Sequence, residues 1–438
     1  MKAKFTLAFF SLLLFSTTSI ATSSPELLSR KAVSEKAAES SVAISELRKL
    51  GPAGLESLIA DNQAEIARHI ANPLEPATPK WQRLNAALDG VSRQKDSYLS
   101  KLYWYTDATE AQAAAKASGK PILSLRLLGN LDEEFSCANS RFFRSVLYSN
   151  ATVSKFLREH FVLHWQSVRP APRITIDFGD GRKLERTVTG NSIHYVLDEN
   201  GRVIDALPGL YGPEAFIRGL SKAEGLMRSV VGKTAEARMK AISDHHMQEI
   251  EATSKQWLEE AKLVGGPIPS YLLPKGDAAS RRAVDIAPLA VTKAITEFSI
   301  LQSFTRDADS LKAVTDEVTW NRIAARHTAD AKLDQQSIGL IYRQMSDVWQ
   351  SEGVNSVDKA ARLLKKLQQS IALDTVRNEY MIHTRFHSWL ASRMFSDDVT
   401  KLNEKVYAEL FLTPSSDPWL GLYAEDVYVA LDKAGVIR

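Results

Sequence analysis

Apolar positions along the chain follow three successive patterns, and each predicts a different kind of structure. Phe5 to Phe15 is almost continuously apolar, yet too short to span a bilayer comfortably. From Pro25 to Leu99 apolar residues recur at helical spacing, as in Ala43, Leu47 and Leu50. Gly51-Pro52 breaks that run. A second helix is expected through Leu55, Leu58, Ile59 and Ile66 as far as the Pro73 to Pro79 segment, and a third through Trp81, Leu84 and Leu88. From Lys101 short apolar runs alternate with helical ones. Pro121 to Leu128 and Phe161 to Val168 read as buried strands, each preceded by a helix; the first of these is capped by Thr106 or Asp107 and ended by Gly119. Ile174 to Val188 reads as a hairpin turning at Gly179-Asp180-Gly181, and His194 to Leu197 with Val203 to Ala206 as another, turning at Glu199-Asn200-Gly201. Pro213 opens a closing helix through Phe216, Ile217 and Leu220. Beyond it the pattern is helical again, with runs at Ala287 to Phe304, Ser337 to Trp349, Val357 to Leu373 and Val376 to Met394, and a Pro- and Gly-containing loop from Gly265 to Gly276.

These patterns predict an α/β domain over residues 101–222, a central mixed sheet with flanking helices, embedded between mainly α-helical regions at 22–100 and 223–438. The first 21 residues read as a signal peptide. Lys2 and Lys4 precede the apolar run, and Ser19-Ile20-Ala21 offers small residues for cleavage. Export is the expectation, to the periplasm or the extracellular space, with no membrane span once the signal is removed. The 55 basic and 52 acidic side chains among 438 residues give a formal charge of +3, which falls to +1 without Lys2 and Lys4. Near-neutrality gives no reason to expect nucleic acid as a partner. With 44% hydrophobic and 24% charged residues the chain is neither disordered nor a multi-span membrane protein. Its one cysteine excludes an internal disulfide and any multi-cysteine zinc site.

That cysteine opens Cys137-Ala138-Asn139-Ser140, at a predicted helix start after the first strand. Gly119-Lys120-Pro121 precedes that strand. Val153 and Phe161-Val162 follow, and then Asp198-Glu199-Asn200-Gly201 and Gly209. In order and spacing these landmarks resemble the thioredoxin-like superfamily, in its exported forms, over about 120 residues of the middle third. The resemblance implies a thioredoxin-like fold there and a redox site at Cys137 and Ser140, lined by Ser136, Asn139, Arg141, Ser192 and His194. Three positions depart from the family pattern. Ser140 stands for the second cysteine, Ser136 for the usual tryptophan or glycine, and Ser192 for the cis-proline. Dithiol chemistry is therefore not expected.

Two functions follow as expectations. One is a non-catalytic accessory protein that binds an exported protein partner. The other is a monothiol redox protein, in which a Cys137 thiolate favoured by its helix N-terminus forms mixed disulfides that a partner protein or a low-molecular-weight thiol resolves. A lesser alternative pairs Cys137 with His194 for hydrolase or transferase chemistry. No cofactor is expected. Glu379, His383 and His387 are spaced four apart, as are His245 and Glu249 beside His246, and such spacing permits chelation on one helix face. With no recognisable further ligand, these sets read as packing or solvated residues. His164 reads as a satisfied strand histidine, Arg126 or Arg169 as an ion-pair partner for Asp177 before a ligand anion, and Leu412 to Leu422 as a segment docking on the helical block with Trp419 buried, ahead of a partner site.

Overall fold

The computed structural model describes residues 24–187, 190–267, 316–351, 356–393 and 397–420. The expected signal peptide and the helix expected at Ala287 to Phe304 lie outside the described residues.

Helices Pro25–Ala32, Ala37–Lys49, Pro52–Asp61, Gln63–Ala71 and Pro79–Ser92 make the N-terminal layer. Their starts are built locally: the Ser24 hydroxyl accepts from the Leu27 N–H and that of Thr78 from Trp81, each followed by proline at the first helical position. Gly51, at φ 67°, supplies the break that an L side chain resists. The single helix expected across Leu55 to Ile66 is two, because the Asn62 amide donates to the Leu58 carbonyl at 2.9 Å and competes with continuation. These helices close their own core around Leu47, Leu58, Trp81 and Leu88, which Leu340 joins from far along the chain.

The next block folds as an α/β unit. Strands β1 (Ile122–Leu128), β2 (Val162–Arg169), β5 (Ser192–Leu197) and β6 (Val203–Pro208) form a mixed sheet in the order β2-β1-β5-β6. β1 is parallel to β2 and antiparallel to β5, placing Leu125 beside both Trp165 and His194; β5 and β6 are antiparallel. Every residue of β1, β5 and β6 is buried, as their continuous apolar runs require when helices cover both faces. Strands β3 (Arg173–Asp177) and β4 (Lys183–Thr187) form a separate ribbon. Helix Ala108–Ser118 is capped by Asp107 and helix Ala151–His160 by Asn150, and Pro213–Val230 closes the unit.

The later chain is helical: Ala235–Leu263, Glu317–Ala324, Gln335–Ser351, Ser356–Arg377, a π turn at Asn378–His383, Thr384–Ala391, Val399–Lys405 and a second π turn at Val406–Leu410. The two helices expected at Val357 to Leu373 and Val376 to Met394 are thus one continuous run from Ser356 to Ala391. The Thr375 hydroxyl donates to the Ile371 carbonyl at 2.7 Å without breaking it. These helices share one hydrophobic core with the sheet, running from Leu102 to Phe411. Among the described residues no helix is long and apolar enough to cross a membrane.

Candidate functional site

Two places gather chemistry-bearing side chains. The first surrounds Cys137. β1 ends at Leu128, whose carbonyl accepts from the Cys137 N–H at 3.0 Å, and Cys137 caps the short helix Ala138–Phe142. Its sulfur is fully buried, 2.9 Å from the Ser192 hydroxyl and 3.4 Å from that of Ser140. Ser140 in turn donates to the Cys137 carbonyl at 2.9 Å. The Arg141 guanidinium donates to the Thr187 hydroxyl at 2.9 Å, and Thr187 donates to the Ser136 carbonyl at 3.1 Å. Ser136 Oγ and Asn139 Oδ1 are buried without a hydrogen-bond partner among the described residues. The acidic residues of the preceding loop turn elsewhere: Asp132 pairs with Arg93 and Glu134 with Lys95.

His194 shares Ser192's side of β5, since side chains alternate along a strand, yet it makes no hydrogen bond with Cys137. Its Nε2 meets the Tyr148 hydroxyl at 2.6 Å, its Nδ1 has no partner among the described residues, and burial holds its pKa down at about 3, so the ring is neutral. The expected Cys137–His194 pair is thus replaced by a Tyr148–His194 pair, because the tyrosine takes the ring nitrogen. His164 is satisfied by Ser124 at 2.8 Å.

A later segment docks on Asn191, whose carbonyl lies 3.9 Å from the Cys137 sulfur. The Tyr407 hydroxyl donates to the Asn191 carbonyl at 3.1 Å, and the Asn191 amide donates to Thr413 at 3.0 Å. Arg169 donates to the carbonyls of Asp417 and Thr413, both at 2.9 Å, and of Pro414 at 3.3 Å. The ion pair expected between Arg169 and Asp177 does not form, since carbonyl oxygens occupy Arg169 and Lys183 pairs with Asp177 at 3.1 Å. Arg126 is buried with its Nη1 unpartnered among the described residues, and burial lowers its pKa. The segment therefore docks on the sheet unit rather than on helices alone. Trp419 is 41% exposed instead of buried, and Leu420 takes the inward position.

The second place was only half visible in the sequence. His383 and His387 lie where the π turn passes into helix Thr384–Ala391, with stacked rings 3.9 Å apart. Helix Ala235–Leu263 brings His245 and His246 to the same point, and β6 contributes Asp205. Asp205 Oδ1 is 3.2 Å from His383 Nε2 and 3.8 Å from His387 Nδ1. His246 Nδ1 is 2.8 Å from His387 Nδ1, and its Nε2 is 3.0 Å from the Ile204 carbonyl. Ligand atoms of Asp205, His383 and His387 lie within 4.8 Å of one another, as do those of Asp205, His245 and His246; these are the residues that can hold a metal ion.

Burial alone would raise the Asp205 pKa. The imidazoles of His383, His387 and His246, with the His383 hydrogen bond, outweigh it and hold the carboxyl well below the usual range. Burial pushes His387 and His246 down, against the pull of Asp205.

Glu379, expected beside His383 and His387, pairs with Arg218 at 3.1 Å and lines the same cleft; the π turn Asn378–His383 holds both Glu379 and His383 and offsets their four-residue spacing. Glu249 likewise pairs with Lys222 at 2.7 Å. A cleft of about 320 Å³ opens on the cluster, lined among others by Arg218, Lys222, His245 and Glu249.

No family model, curated protein or solved structure matches this chain.

Asp205 is the residue the sequence reading missed. Its signal was a carboxylate inside the otherwise apolar strand Val203–Pro208, which burial allows only with partners.

Proposed function

We propose that the chain is an exported accessory protein whose middle unit, thioredoxin-like in its order of elements, binds a protein partner without exchanging disulfides. The burial of Cys137 carries this reading. A thiol exchanges only as an accessible thiolate, and this sulfur is fully buried and hydrogen-bonded to the hydroxyls of Ser140 and Ser192. The arrangement of helix, strand, helix-start cysteine, helix, strand and final hairpin supports the thioredoxin-like assignment, since those landmarks occur in the family's order. The β3–β4 ribbon supports partner binding. It leaves Ile174, Ile176 and Phe178 exposed at alternate positions, hence on one side.

Alkylation of Cys137 against pH in native buffer tests the proposal. Labelling that waits for denaturant supports a structural cysteine. Native labelling that saturates well below the free-thiol pKa of about 8.5 overturns it in favour of a monothiol that forms mixed disulfides.

A further inference from the structure

We propose that Asp205, His383 and His387, with His246 beside them, bind a divalent first-row transition-metal ion of the zinc type. This site is separate from Cys137 and does not depend on the accessory reading.

The donor set fits such an ion. Imidazole nitrogens with one carboxylate suit zinc and iron(II), whereas calcium and magnesium take oxygen ligands. Two ligands bonded at about 2.0–2.1 Å around a tetrahedral ion lie about 3.3 Å apart. The separations of 3.2 Å and 3.8 Å from Asp205 Oδ1 to His383 and His387 bracket that figure.

The surroundings fit as well. His246 points one nitrogen at the Ile204 carbonyl, which makes that nitrogen the donor and leaves Nδ1 bare. The bare Nδ1 sits 2.8 Å from Nδ1 of His387, within hydrogen-bond distance, and so holds that ring in place. The Ile204 carbonyl fixes the His246 ring as outer partners of metal ligands do.

Asp205 is 2% exposed, and among the described residues no lysine or arginine pairs with it. The nearby cations are engaged elsewhere, Arg218 with Asp330 and Glu379, and Lys222 with Glu249. A buried carboxylate with no lysine or arginine partner gains most from a divalent charge. The cleft lined by His245 gives the ion a way in and leaves room for water on the ion's open side.

The test uses untagged, full-length protein stripped with a chelator and titrated with Zn²⁺ alone by calorimetry. Saturable binding of one ion per chain is expected. Asp205→Asn and His387→Gln, each checked for native circular dichroism, should weaken it by roughly 100-fold or more. No saturable binding by the wild type overturns the proposal, as does binding within about threefold of wild type in both variants. Should either variant misfold, Co²⁺ bound to the wild type decides. A ligand-field spectrum of nitrogen and oxygen coordination that Zn²⁺ abolishes supports the site, and the spectrum of free aqueous Co²⁺ refutes it.

Discussion

His327 offers a stability prediction whose size follows from its contacts. Its Nε2 lies 3.0 Å from both carboxylate oxygens of Glu260, and its Nδ1 lies 3.2 Å from Asp330. The hydrogen bonds to Asp330 and Glu260 outweigh burial and raise its pKa to about 9. From an ordinary value of about 6.5, that rise corresponds to about 3.4 kcal/mol at about 1.4 kcal/mol per pH unit. Solvent reaches the pair through Arg218, which is 44% exposed, and screening reduces the expected contribution to about 1.5–2 kcal/mol. Because the folded state holds its proton more tightly, this stabilisation is complete below about pH 6.5 and disappears as pH rises through about 9. Asp330 behaves in the opposite sense. Burial would raise its pKa, but His327 and Arg218 bring it down to about 2, so its contribution is present above about pH 4 and lost as pH falls through about 2. Urea unfolding of chelator-treated wild type and His327→Gln at pH 6 and pH 10 reads the alkaline side, since the subtraction cancels lysine and tyrosine titration. The wild type should lose about 1.5–2 kcal/mol more than the variant over that interval. Equal losses in both proteins would refute the assignment of a charged His327.

Two further substitutions examine the Cys137 surroundings. Tyr148→Phe removes the only polar contact of His194 among the described residues, leaves a buried ring with both nitrogens unpartnered, and should cost about 1–3 kcal/mol in denaturant unfolding without exposing Cys137. A cost below about 0.5 kcal/mol would mean that His194 finds another partner. Arg169→Ala removes the donors that hold the carbonyls of Thr413, Pro414 and Asp417, and should raise the native labelling rate of Cys137 about 10–100-fold while leaving the circular dichroism unchanged. If residues 412–420 become more susceptible to protease while labelling stays slow, this segment is not what covers the sulfur.

Much of the middle unit was legible because its signals are local. Strand limits agree with the apolar runs within a residue or two, Asp107 caps its helix, and the turns fall where glycine and asparagine stand. What was not legible depends on register between distant segments. The spacing of His383 and His387 was plain, but the π turn that diverts Glu379 has no sequence pattern of its own. Nothing near His246 announces that it meets a residue 141 positions away. Trp419 was misplaced for a similar reason. The pull on that segment is exerted by an arginine at the end of β2 on backbone carbonyls, which any sequence offers.

The core shared between Leu102 and Phe411 has a consequence for how the chain matures. Contacts such as Ser149 with Ser337, 188 residues apart, close loops whose entropic penalty is about 4–5 kcal/mol, recovered only when the later helices dock. A chain emerging from its N-terminus can assemble the first helical layer early. The sheet, in contrast, has part of its apolar cover supplied by residues still to come. Until roughly the last tenth of the chain arrives, the sheet unit offers sticky surface to its neighbours, and such intermediates aggregate. The histidine cluster is subject to a similar delay, because Asp205 on β6 waits for His383, 178 residues further along the chain. A product terminated before His383 would therefore lack the grouping of Asp205, His383 and His387, which makes that grouping a late step in the chain's folding.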